Sequence, residues 1–98
     1  MSIDFGAEAD EITGKLKQAQ GYLACEKVVI SHIKKHLENG STEESIILYL
    51  KKLSMYLDER MSSSPVNPDR INYRYATGFV TTLLKMPHWE RWIKKQDM

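Results

Sequence analysis

His32 and His36 stand four residues apart, the separation at which two imidazoles on one helix can share a metal ion. Ile33 follows His32 where a zinc-protease helix carries glutamate, so the H-E-x-x-H pattern is absent. Cys25 falls on the same stripe seven residues earlier, but that is about 10 Å along a helix axis and too far for one tetrahedral site on one helix. A metal would need donors from another helix or chain. The simpler reading is a pair of solvated histidines complementing a helix C-terminus, and the expectation is no metal and no cofactor.

Other catalytic chemistry finds equally little. The chain has no G-x-S-x-G and no glycine-rich phosphate loop, and Ser62, Ser63 and Ser64 lie together with no evident base or oxyanion hole. Cys25, beside Leu23 and Ala24, reads as a small buried hydrophobe rather than a nucleophile. The acids gather near the N-terminus and at Glu43-Glu44 and Asp58-Glu59, which are helix-start or solvated positions rather than facing pairs. His88, directly after Pro87, reads as a first-turn residue of a last helix. No catalytic residue is assigned, and an enzyme is not expected.

Arg70, Arg74, Arg91, Lys94 and Lys95 interleave with Tyr73, Trp89 and Trp92, the raw material for phosphate contact and base stacking. A formal charge of +1 gives no global pull toward nucleic acid. The seven residues 62–68 are also too long a connection for a helix-turn-helix. A solvated basic face is the plainer account, and nucleic-acid binding is kept as the alternative. Trp89 and Trp92, three apart, can lid a core or anchor a partner.

The elements that must position these residues are helical. Ninety-eight residues, 42% hydrophobic and 28% charged with three prolines, make one globular domain over 1–98. Phe5, Ala9, Ile12, Leu16, Ala19, Leu23, Glu26, Ile30, Ile33 and Leu37 recur at alternating spacings of four and three, the a/d seam of a heptad. One long helix over about 5–38 is therefore expected, with Gly14 and Gly21 on its outward side. Asn39-Gly40 stops it, and Ser41 with Glu44 forms a capping box for a second helix over about 42–61. Its stripe is Ile46, Leu50, Leu53, Leu57 and Met61. Asn67 and Pro68 open a third helix over about 68–86, with Ile71, Tyr75, Phe79, Leu83 and Met86 as its apolar face. Pro87 precedes a brief fourth over about 87–95. The fold class is all-α: a three-to-four-helix bundle on a helical hairpin, with a long heptad-patterned first helix.

A straight helix of that length spans about 50 Å, more than the roughly 34 Å diameter of a domain this size. Either it breaks near Gly14 or Gly21, or its seam overhangs and packs on another chain. Glu26 bears on the choice, because a carboxylate on a seam sets register or partner when buried. The expected function is a non-catalytic protein-interaction module: an adaptor, regulator or chaperone-like subunit that pairs with itself or with a helical partner. Its contact residues would be Ile12, Leu16, Leu23, Glu26, Ile30, Trp89 and Trp92. A lone cysteine and no basic-apolar leader point to the cytoplasm, and no apolar run is long enough to cross a bilayer.

Overall fold

In the computed structural model, which describes residues 4–63 and 69–96, five helices follow one another. They are α1 (Phe5–Gln18), α2 (Tyr22–Glu38), α3 (Glu43–Ser63), α4 (Arg70–Leu84) and α5 (Trp89–Lys95). Among the described residues there is no strand. The pairing of α3 with α4 is the most extensive, α4 also lies on α2, α5 rests on α2, and α1 touches α2, α3 and α4. The centre is filled by Ile12 and Leu16 of α1, Val29 and Ile33 of α2, Ile46, Leu50, Leu53 and Leu57 of α3, Tyr73 and Leu83 of α4, and Ile93 of α5.

The single helix expected over 5–38 is two helices. The chain leaves α1 at Ala19 in an extended conformation and enters α2 through Gly21 at φ +89°, a left-handed region that glycine alone enters without strain. Gly14 stays inside α1. The bend answers the length problem, since the molecule measures 38 × 25 × 22 Å with a radius of gyration of 12.8 Å, and a straight 5–38 helix of about 50 Å would overhang it. Ending α1 at Gln18 leaves carbonyls without intrahelical donors. Asn72, buried on α4, supplies donors from its Nδ2 to Leu16 O at 2.8 Å and Ala19 O at 3.1 Å.

The stop at Asn39-Gly40 forms as expected: Gly40 takes φ +84°, its N–H donates to Leu37 O, and Ser41 N–H donates to His36 O, the paired bonds of a Schellman motif. The cap that follows sits one residue later than the Ser41–Glu44 box. Thr42 Oγ1 accepts from Ser45 N–H at 3.1 Å, so Thr42 is the N-cap, because the Schellman turn already commits Ser41 N–H backwards. α4 is rotated relative to its expected face: Asn72, Tyr73, Ala76, Phe79, Val80 and Leu83 are buried, whereas Ile71 is exposed. α4 ends at Leu84, and His88 precedes α5 at φ +56° rather than standing in its first turn. Asn67 and Pro68, expected to open this helix, lie outside the described residues.

Candidate functional site

The bend at 19–21 folds α1 back on α2 and brings Glu8 against His32 and His36. Asp4 caps α1 by accepting from Ala7 N–H, which places Glu8 one turn in. His32 and His36 share a face of α2 by their four-residue spacing. Glu8 Oε2 lies 3.0 Å from His32 Nδ1 and 3.3 Å from His36 Nε2, and Glu8 Oε1 lies 3.8 Å from Lys35 Nζ. Both imidazoles are buried, His32 with 2% of its surface exposed. They are therefore not the solvated pair expected from their place near a helix end, and Glu8 is not a solvated N-terminal acid.

The three contacts differ in kind. His32 Nδ1 and Glu8 form a hydrogen bond, whereas His36 Nε2 is within ion-pair distance without hydrogen-bond alignment and is left with no hydrogen-bond partner. Tyr49 of α3 closes the cluster from below, its ring edge-on to His36 at 5.5 Å and to Phe5 at 6.1 Å. Burial, with the nearby charges of Glu8 and Glu11, raises the Tyr49 phenol well above its ordinary value. Burial lowers His32 below the usual histidine value, against the opposing pull of Glu8.

A histidine oriented by a carboxylate at Nδ1 is half of a catalytic dyad, whose other nitrogen acts on a nucleophile or substrate. Here His32 Nε2 is buried with no hydrogen-bond partner. Cys25, buried and with its thiol raised by burial, stands two turns away on the same helix. Among the described residues no group of three or more His, Cys, Asp or Glu is arranged to hold a metal ion. What this cluster can do is tie α1 to α2 and α3 and respond to protonation.

The residues expected to meet a partner are divided by the fold. Ile12, Leu16 and Ile30 are inside the chain's own core, which corrects their reading as an overhanging seam: the bend lets one copy cover them. Trp89 is also buried and lids the core, while Trp92 is half-buried and packs on Phe79 with ring centroids 6.1 Å apart. Glu26 is partly exposed and Leu23 keeps 71% of its surface in water. Arg70 and Arg74 are exposed at the start of α4, and Arg91, Lys94 and Lys95 on α5. Phe79, on which α5 packs through Trp92, lies nine residues beyond Arg70, about 13 Å along the helix. Lys34 and Lys94 share a surface groove with Leu37 and Glu38, whose carboxylate dilutes its positive charge.

An apolar edge remains. Tyr22, the first residue of α2, meets Tyr75 of α4 edge to face at 5.5 Å. Leu23 follows Tyr22, and Ile71, 54% exposed, sits one turn before Tyr75. The sequence placed Ile71 and Tyr75 on the apolar face of this helix; Tyr75 is partly buried against the core, whereas Ile71 is exposed because Asn72 and Tyr73 take the inward face of α4. A second, smaller exposed pair, Leu48 and Met55, lies seven residues apart on α3 beside Lys51 and Lys52.

Among the described residues no helix is long and apolar enough to cross a membrane. No family model, no curated protein and no solved structure matches the chain.

Proposed function

We propose that this chain is a non-catalytic helical interaction module whose contact surface is the edge formed by Tyr22 and Leu23 of α2 with Ile71 and Tyr75 of α4. The observation that carries the reading is the exposure of Leu23 and Ile71 on either side of a packed tyrosine pair. Large aliphatic side chains grouped with aromatics are what protein interfaces bury at their centres. The partner is another protein chain, with a second copy of this one as the first candidate.

Ile71→Glu tests the reading, because its side chain is already half in water and the fold should tolerate the charge. Sedimentation velocity over a concentration series should show reversible association by the parent chain and its loss in Ile71→Glu, with unchanged circular dichroism. A parent chain that stays monomeric up to millimolar concentration and binds no helical partner would remove the proposal.

A further inference from the structure

The heptad seam supplies the observation. Of its positions, Ala9, Ile12, Leu16, Ile30 and Ile33 are buried. Phe5 and Leu37 at its ends and Ala19 and Glu26 around the joint are partly exposed, whereas Leu23, two residues past the joint, lies mostly in water. The four-and-three spacing nevertheless runs through 19–21 without a skip, so a helix continued across the joint would carry Leu16, Ala19, Leu23 and Glu26 on one stripe. The closed chain interrupts that stripe with three residues, the last held at φ +89° and carrying no side-chain cap. Asn72 of α4 donates to Ala19 O and, beside the Ala19 N–H, to Leu16 O.

We infer that α1 exchanges between two copies of this chain: the joint straightens, α1 and α2 become one helix, and each α1 fills the socket vacated by the other. This rests on the reading that the chain works by protein contact, and it names a second copy as the partner. The exchange keeps the α1 contacts, with Ile12 and Leu16 in the core and Glu8 against His32 and His36, now between copies. The two forms differ only at the joint. There the extended form gains intrahelical donors for the carbonyls that Asn72 now serves, relieves the left-handed backbone, and sets Leu23 on the seam where two crossing helices bury it. The closed form avoids the entropy cost of association, so it dominates in dilute solution. A three-residue hinge under backbone constraint is the usual setting for such exchange.

Gly21→Ala separates the two forms. A Cβ at Gly21 meets nothing within 4 Å, so the substitution acts through φ alone: alanine is disfavoured in the bend and favoured in a continuous helix. After concentration and equilibration near the unfolding midpoint, Gly21→Ala should raise the dimerisation constant on the order of a hundredfold, the effect being counted in both copies. The reverse variant, four flexible residues inserted between Gln20 and Gly21, should lower it. Spin labels at Asp10→Cys and Glu38→Cys, in a Cys25→Ala chain diluted with unlabelled protein, read the geometry. Within one chain their separation should lengthen to about 42 Å in the dimer, the span of 28 helical residues. A Gly21→Ala chain that remains monomeric overturns the inference, as does a dimer that keeps the short distance. The second result leaves the surface-contact reading standing. That reading falls separately, if Ile71→Glu leaves all association intact.

Discussion

Two turns in this molecule place a glycine in the left-handed region, Gly21 at φ +89° and Gly40 at φ +84°, and they are held by different means. The turn at 39–42 is satisfied by its own neighbours: Gly40 and Ser41 donate back into α2, and Thr42 caps α3. The joint at 19–21 has no side-chain cap on α2; Leu16 O accepts from the local Ala19 N–H, but Asn72, more than fifty residues away, also donates to it and to Ala19 O. The first turn is closed by residues of its own segment, whereas the second also leans on α4.

Breaking the distant support should act on stability and association together. Asn72→Ala removes the side-chain donor from Ala19 O and one of two donors from Leu16 O, which keeps the Ala19 N–H, and losing such bonds costs about 1–2 kcal/mol. Urea denaturation should show that loss, accompanied by more association rather than less, because the carbonyls recover donors if the helix runs on. A stability within about 0.5 kcal/mol of the parent would mean the bend holds itself.

The Glu8 cluster is the second distant tie on α1, and it titrates. His32 is held below its ordinary value by burial first, with Lys15 adding to the depression and the Glu8 hydrogen bond and the Glu8 and Glu11 charges opposing it. Lys35 and His36 of α2 and Tyr49 of α3 complete the surroundings. A histidine more reluctant to protonate when folded makes the unfolded chain the better proton acceptor. Stability is therefore fully present above the unfolded value of about 6.5, falls as pH drops below it, and levels off beneath the folded value. A melting-temperature profile from about pH 8 to about pH 5 should decline through that window. Glu8→Ala should cost about 1.5–2 kcal/mol at neutral pH, the worth of a hydrogen bond to a charged group. It should also carry the decline to lower pH, since His32 loses its main opposing partner. A flat profile for the parent chain would show that the imidazole does not titrate on unfolding.

The contrast between the turns also explains what could be read from residues alone. The Asn39-Gly40 stop, the α3 stripe from Ile46 to Leu57 and the burial of Cys25 were legible, because each depends on neighbours within one or two turns. The bend was visible only as one of two outcomes, since nothing near Gly21 says that Asn72 will reach it. Without the bend the histidine cluster is out of reach: on a straight helix Glu8 and His32, 24 residues apart, would be separated by about 36 Å. The seam residues Ile12, Leu16 and Ile30 were recognised as apolar, but a single sequence carries no sign of whether one chain or two will cover them. Ile71 was misplaced for a related reason. α4 has more apolar residues than one face holds, and the face was set by Asn72 and Tyr73 turning inward.

The local turn offers two smaller tests. A Cβ at Gly40 meets nothing within 4 Å, so Gly40→Ala should cost only its backbone strain, about 1–1.5 kcal/mol, and should leave the oligomeric state alone. That is where it parts from Gly21→Ala: α2 and α3 continue no common seam through residues 39–42, so straightening there would bring no stripe into register. A dimer formed by Gly40→Ala would show that strain alone drives exchange and that the seam is irrelevant.

Thr42 and Ser41 sharpen the picture at the scale of one hydroxyl. Thr42 Oγ1 accepts from Ser45 N–H and donates to Ser45 Oγ at 3.0 Å, so Thr42→Ala should lower stability by about 1 kcal/mol, the usual worth of an N-cap. Ser41→Ala should change it by less than about 0.5 kcal/mol, since what Ser41 contributes is its backbone N–H to His36 O, which alanine retains. The reverse ranking in paired thermal melts would place the cap at Ser41 with Glu44 and separate the start of α3 from the Schellman turn. A loss confined to Thr42→Ala, with no change in association, would mean that the turn at 39–42 is set by its own few atoms.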